Sequence, residues 1–355
     1  MCYDCDMKRF TVTTTSKYDI LIASGLLRQA GSALREVFAP CRVCLITDSK
    51  VNGLYSQVVM SSLIESGFQP SKIVFPAGEH SKNLTTYANI LEALAEECLT
   101  RSDVILALGG GVTIDLAGFV AGTYMRGIRY AVIPTSLQAA LDTSIGGKAA
   151  VNLRSGKNLA GVFWQPSLVL CDPDLLSTLP AANRLDGIAE AVKCAAISDA
   201  GLLPRIARGD LEYMIERCIS IKKSLVEADE RANNLRQLLN FGHTVGHSIE
   251  KLSSYSVTHG QAVAKGMIAE SRGAYRTGLT NTDISGELAD LLESLGFDTR
   301  LSSFDAEEVY HLALMDKKIA GGKINMIIPE FLGKCTLHKL SLSELESLIT
   351  AGLRD

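Results

Sequence analysis

The sequence predicts an α/β protein: an N-terminal doubly wound parallel-sheet domain of the nucleotide-binding kind, followed by a mostly α-helical domain. Three observations point there. Short apolar runs alternate with helix-length stretches through the first half, a glycine-rich turn closes one of those runs, and beyond residue 180 strand-like runs give way to a 3.6-residue period.

The elements follow in order. VCLITD (43–48) is a buried strand, 52–66 a helix, KIVF (72–75) a second strand, 83–98 a second helix, and VILALGGG (104–111) a third strand running into glycines. YAVIPTS (130–136) ends, like the others, in small polar residues, the end at which doubly wound sheets bind ligands. In LVLCDPDLLSTLP (168–180), Pro173 and Pro180 bracket a turn-rich connection; beyond it EYMIERCISIKKSLVEA and ELADLLESLGF carry helical periodicity across 184–300. The expected domains are 1–175 and 176–355.

Composition bounds the function. With 355 residues, 47% hydrophobic and 21% charged, the chain has enough apolar matter for two ordinary cores. A formal net charge of −4 gives no field to gather polyanions, so nucleic acid is not an expected partner. No apolar run approaches the roughly 20 residues that span a bilayer. The start, MCYDCDMKRF, lacks the apolar core of a secretion signal, so no membrane partner and a cytoplasmic location are expected. The nine cysteines are scattered and expected to be reduced. Cys2/Cys5 and Cys41/Cys44 have the CxxC spacing of a zinc site, but Cys44 opens an apolar strand where a zinc knuckle needs a tight turn.

Chemistry concentrates in a few segments. GGGVTID (109–115) lets the backbone approach a pyrophosphate while the following helix start favours the anion, unless it is only a tight turn. Asp48, at a strand end, suits a ribose or equally a helix cap. In LRQLLNFGHTVGHSIE (235–250), read as one helix, Arg236, Asn240, His243 and His247 share one face, where a core helix would be apolar. His243 and His247 have zincin spacing, but Thr244 stands where that chemistry needs a glutamate base. His259, in THGQAVAKGM, and Glu190, in GIAEAVK, would complete a two-imidazole, one-carboxylate set suited to zinc with an open position. Lys148, Lys157, Lys193, Lys222 and the pair Lys317/Lys318 lie near small-residue segments; most lysines are solvated surface groups, but beside glycines and Asn158 these also suit a phosphate cradle.

Taken together, GGGVTIDLAGFVAGTYMRG, DTSIGGKAAVN, GKNLAGVFWQP, GIAEAVK, LRQLLNFGHTVGHSIE and HGQAVAKGM make the chain resemble the 3-dehydroquinate synthase family in order and spacing, from about residue 43 to 330. The resemblance implies NAD and one divalent metal per subunit, zinc or cobalt, held by Glu190, His243 and His259. It assigns Asp48, Glu79, Lys82, Gly110, Gly111, Val112, Asp115, Thr135, Ser136, Lys148, Lys157 and Thr178 to the NAD site. Asp142, Lys148, Asn158, Lys193, Lys222, Arg236, Asn240, His247, Lys317 and Lys318 would meet a sugar-phosphate substrate. Arg126 would reach the phosphate of a neighbouring subunit, which implies a homodimer.

The reaction so implied converts 3-deoxy-D-arabino-heptulosonate 7-phosphate to 3-dehydroquinate and phosphate, a step of the shikimate pathway, with the hydride lent to NAD and returned. Four positions depart from the family's pattern: Ala232 where an acidic residue is usual, Gln261 for Glu, Ser136 for Thr, and Lys265 at an apolar position. Such drift would suit a relative that cyclises sedoheptulose 7-phosphate or glucose 6-phosphate. An iron-dependent alcohol or glycerol dehydrogenase has no need of Lys148, Lys157 and Arg236, and an inactive binding module would not keep all three ligands.

Overall fold

Residues 7–254, 256–315 and 319–354 are described by a computed structural model. Cys2, Cys5, Lys317 and Lys318 lie outside them. The chain divides into two units, Met1–Leu179 and Pro180–Asp355.

The first unit contains, in order, β1 (Lys8–Thr13), β2 (Lys17–Ile22), α1 (Ala30–Arg35), β3 (Arg42–Asp48), α2 (Ser49–Glu65), β4 (Gln69–Phe75), α3 (Leu84–Glu96), β5 (Val104–Gly109), α4 (Gly111–Thr123), β6 (Arg129–Pro134), β7 (Lys148–Leu153), β8 (Gly156–Phe163) and β9 (Leu168–Cys171). Seven strands form one sheet in the order β1-β2-β9-β6-β5-β3-β4, parallel except for the β1/β2 pair. Every residue of β5 is buried, the pattern of a strand covered on both faces. From β3 the chain steps outward to β4 and then returns to the other side of β3 as β5. The sheet therefore has its switch point between β3 and β5, where ligands of such sheets bind. Helix α2 starts three residues before the predicted 52, because Asp48 caps it by accepting from the Lys50 and Val51 N–H groups at 2.9 and 3.0 Å. Cys44 lies inside β3, buried, and burial pushes its thiol up to about 12.

The second unit contains α5 (Ala181–Ser198), α6 (Leu203–Ala207), α7 (Leu211–Ala228), α8 (His243–Leu252), α9 (His259–Arg276), α10 (Ser285–Ser294), α11 (Ala306–Ala313), β10 (Ile319–Ala320), β11 (Lys323–Phe331), β12 (Lys334–Ser341) and α12 (Leu342–Leu353). Helix α9 is its axis: from Gly260 to Ala274 nearly every residue is buried, and α5, α8, α10 and α12 pack against it. The strands form an antiparallel sheet that the helical expectation, drawn from 184–300, did not include; Gly333, at φ 94°, turns the β11–β12 hairpin.

One expectation is corrected. Residues 235–250 are not a single helix: Leu235–Asn240 is a 3₁₀ turn, and α8 begins at His243 after Gly242 at φ 77°. Tertiary packing makes the break. A side chain at Gly266 of α9 would clash with the Gly242 carbonyl, and one at Gly246 would lie 2.9 Å from the Ala262 carbonyl oxygen, so the backbones meet through glycines. Arg236 and Asn240, four apart in a three-residue-per-turn helix, do not share a stripe with each other or with the histidines. His243 and His247 do face the same way, with ring centroids 5.3 Å apart.

Candidate functional site

In the first unit the predicted nucleotide residues gather at the strand C-termini around the switch point. Asp48 ends β3, and its second carboxylate oxygen accepts from Thr113 of α4 at 3.4 Å. Gly110 caps α4 without any side-chain cap, so the first N–H groups of α4, on Gly111 and Val112, are left for an anion. Thr135, just after β6, donates its N–H to the Gly109 carbonyl at 2.9 Å, and Ser136 lies so near Gly110 that a Cβ there would sit 3.3 Å from its hydroxyl. Lys82 forms an ion pair with Asp115, one turn into α4; burial raises that carboxyl and Lys82 opposes the rise.

Around these, Glu79 accepts from Asn152 at 2.7 Å, and Asn152 in turn accepts from the Asn158 N–H at 3.0 Å. Thr178 and Tyr55 share a hydroxyl hydrogen bond at 2.5 Å. Lys157 and Asp142 are half-buried, and Lys148 is exposed. Arg126 is exposed too, and with Met125 it forms two consecutive non-glycine residues at positive φ, 64° and 52°.

The second unit builds a metal-type cluster from three helices. Glu190 comes from the middle of α5, His243 opens α8 and His259 opens α9, and their ligand atoms lie within 4.8 Å of one another. Glu190 Oε1 is 3.5 Å from His243 Nε2 and 3.1 Å from His259 Nε2. Ligands about 2.1 Å from a tetrahedral zinc stand about 3.4 Å apart, so these separations suit such an ion. The other oxygen of Glu190 meets Lys193. Burial alone would raise Glu190, but Lys193 and the two histidines hold it well below the usual carboxylate range, as a ligand requires.

The histidines are aimed by acceptors behind them. His243 Nδ1 donates to the Phe241 carbonyl at 3.1 Å, which leaves Nε2 with its lone pair toward Glu190. Burial lowers the His243 imidazole, favouring that neutral form. His259 Nδ1 faces Glu250 Oε2 at 3.3 Å. Burial disfavours its charge as well, but Glu190 and Glu250 outweigh that and raise it to about 10.

Two more carboxylates fix where these helices begin. Glu270 of α9, fully buried, accepts from the N–H groups of Gly242, Thr244 and Val245 at 2.8, 3.1 and 3.1 Å, capping α8 from its neighbour. Asp186 of α5, one turn before Glu190, accepts from the Thr258 hydroxyl at 2.7 Å and the Gly260 N–H at 2.8 Å, capping α9. Sequence reading missed Asp186, Glu250 and Glu270. Asp186 and Glu250 were within reach, at helical spacing from Glu190 and from His243, whereas nothing local marks Glu270.

Among the described residues of this unit four cations are buried, Arg236 at 1% exposure, Lys193 at 2%, Lys265 at 4% and Lys222 at 5%, which is not how surface lysines behave. Arg236 donates through Nη1 to the Glu230 carbonyl at 2.6 Å and through its backbone N–H to Asp229 at 3.1 Å. Asn240 is half-buried and His247 exposed.

The family model described as 3-dehydroquinate synthase N-terminal matches residues 72–186, and the one described as 3-dehydroquinate synthase C-terminal matches 187–319. The chain belongs to the 3-dehydroquinate synthase family. Relatives named 3-dehydroquinate synthase include that of Streptococcus pneumoniae, 42% identical over 94% of this chain and 96% of its own, and that of Clostridium acetobutylicum, 39% identical over 93% and 95%. Among solved structures, 2-deoxy-scyllo-inosose synthase complexed with carbaglucose-6-phosphate, NAD+ and Co2+ superposes with a TM-score of 0.85 at 26% identity, covering 96% of this chain and 99% of its own. The 2-epi-5-epi-valiolone synthase of Streptomyces hygroscopicus with NAD+ and Zn2+ gives 0.85 at 27%, covering 98% and 100%. A butanol dehydrogenase of Thermotoga maritima, 14% identical with a TM-score of 0.67, shares the fold.

Two departures from the family's pattern now have a physical setting. Gln261 accepts from the Asp298 N–H at 3.2 Å, and Lys265 donates to the Arg300 carbonyl at 2.6 Å. Both side chains hold the turn 298–300, on the side of α9 away from His259. Ala232, with φ 59°, sits in the loop that Asp229 organises by accepting from Asn233, Asn234 and Arg236. Among the described residues, no helix is long and apolar enough to cross a membrane.

Proposed function

We propose that this chain is a 3-dehydroquinate synthase, a phosphate-eliminating carbon–oxygen lyase of the shikimate pathway. It takes 3-deoxy-D-arabino-heptulosonate 7-phosphate to 3-dehydroquinate and phosphate, working as a cytoplasmic homodimer. The observation that carries this reading over other sugar-phosphate cyclases is the buried Arg236, fixed by the Glu230 carbonyl in the same unit as the ligand cluster. A guanidinium fork suits a carboxylate, and the keto-acid substrate has one where sedoheptulose 7-phosphate and glucose 6-phosphate have none.

Glu190, His243 and His259 would hold one zinc or cobalt ion per subunit, a Lewis acid toward the substrate hydroxyl. The residues around Asp48, Gly110, Gly111 and Asp115 would hold NAD, which would supply reversible hydride transfer with no net consumption of redox equivalents. Lys193 and Lys222 bring positive charge to an anionic substrate. Asn240 and Arg236 receive its carboxylate end, and Lys148 and Asn158, with Lys317 and Lys318, supply further polar contacts. His247, exposed beside His243, moves a proton at the substrate. Arg126, exposed on a strained turn, extends to the partner subunit's substrate phosphate; its pair of positive φ values supports a role beyond folding.

The test is a substrate panel with phosphate release as readout and NAD supplied well below substrate. The keto-acid phosphate should exceed sedoheptulose 7-phosphate by at least about 100-fold in kcat/KM, and Arg236→Met should remove that preference by harming only the keto-acid reaction. Equal rates on both sugars would assign the chain to another cyclase, and stoichiometric NADH would make it a dehydrogenase.

A further inference from the structure

The two histidines of the cluster are supported in parallel ways with one difference. Each opens a helix whose first turn is capped by a carboxylate from another helix, Glu270 for α8 and Asp186 for α9. Each has Nε2 toward Glu190 and Nδ1 toward an oxygen behind it. For His243 that oxygen is the carbonyl of Phe241, two residues away, so local backbone sets its ring. For His259 it is the Glu250 carboxylate, which lies on α8 seven residues after His243 and is 3% exposed. The cap at Asp186 places the His259 backbone but leaves the ring free to turn about its own bonds. An acceptor on the Nδ1 side restrains the ring without occupying the Nε2 that an ion needs.

We propose that Glu250 is the positioning residue of the metal site: by accepting from His259 Nδ1 it fixes the ring's rotation and tautomer, presents Nε2 to the ion, and makes the imidazole a stronger donor. The proposal rests on reading Glu190, His243 and His259 as the ligands. A buried carboxylate behind a ligating histidine is the arrangement that orients metal-bound imidazoles generally. His247, Glu250 and His259 also lie close enough to be read as a second cation site. That reading would need His259 to bind ions through both nitrogens at once, as an imidazolate. Acceptance from an ordinary Nδ1–H asks nothing unusual of the ring.

The experiment titrates zinc against a chromophoric chelator in the full-length protein and its Glu250→Gln, Glu250→Asp and His259→Ala variants. It is paired with urea unfolding of the metal-stripped proteins and the visible spectrum of the cobalt forms. Zinc stoichiometry should stay at one in Glu250→Gln while affinity falls by about 10 to 100-fold. The cobalt bands should shift, and the metal-free urea midpoint should move little. Should Glu250→Gln fail to fold, Glu250→Asp answers the same question with a smaller loss. In a His259→Ala background the Glu250 substitution should have no further effect on affinity, since it acts through that ring. Unchanged zinc affinity in both folded Glu250 variants overturns the proposal. So does a second zinc equivalent in the unmodified protein that Glu250→Gln removes, because Glu250 would then be a ligand. An unmodified protein that binds no stoichiometric metal overturns the ligand reading itself and the proposal with it, an outcome distinct from the other two.

Discussion

The two units place their chemistry by different means. At the nucleotide end, functional groups ride on loops that follow strands, so the sheet's register delivers Asp48, Gly110 and Thr135 to one edge and neighbouring backbone does the rest. In the helical unit neither histidine is set by its own segment alone. His243 depends on Glu270 and His259 on Asp186 and Glu250, each reaching from another helix, while Glu190 pairs with Lys193 one turn along its own. A parallel sheet makes a site from topology, whereas a helical cluster must make one from particular buried side chains.

The largest effect expected from this contrast is at a ligand. His243→Ala should abolish stoichiometric metal by elemental analysis and reduce turnover below about 1%, while NAD affinity measured by fluorescence titration stays near that of the unmodified protein. A fall in both would show that the two ends are not independent. Next comes the cap. Glu270→Leu leaves three buried N–H groups without their carboxylate and should cost about 3 kcal/mol in urea unfolding, roughly the penalty for unsatisfied donors facing a lost charged acceptor. No nucleotide-loop residue described above should matter as much.

A third effect concerns pH. His259 is raised to about 10 between its two carboxylates, so below that pH a proton and the metal compete for Nε2. Protonation opposes binding, and zinc affinity should therefore rise with pH, by about tenfold per unit if one proton is displaced, and level off toward pH 10. Calorimetry in buffers of different ionisation enthalpy would count the protons released. A flat profile would mean His259 is not a ligand. The smallest effect is at Ala232, whose φ of 59° suits glycine better. Ala232→Gly should stabilise by no more than about 1 kcal/mol, as relief of left-handed strain outweighs added chain entropy, and should leave metal affinity unchanged.

The same contrast explains what the sequence disclosed. Strand runs such as VILALG and the GGGVTID turn are contiguous, so periodicity and glycine chemistry exposed the nucleotide half almost element by element. Glu190, His243 and His259 were named together from the family's motifs, since their residue types taken singly suit a structural role as well as a ligand. The helix drawn through 235–250 failed for a tertiary reason: Gly242 breaks where α8 meets α9 across Gly266, a contact no window of sequence contains. Glu270 was hidden for the same reason, since a glutamate on a polar-spotted helix reads as solvent-facing until its neighbour is known.

The carboxylate of Glu270 also sets an order of events. The first turn of α8 finds its acceptor 28 residues later in the chain, and the first turn of α9 finds its own 72 and 74 residues earlier. No fragment ending before Glu270 contains the group that closes the turn at His243, so ribosomal synthesis must pass that point before the ligands are in place. The amides of Gly242, Thr244 and Val245 should then exchange with deuterium only when α8 and α9 part, at one shared rate. Loss of metal competence would coincide with that parting, which makes the centre a reporter of the cohesion of the whole helical unit.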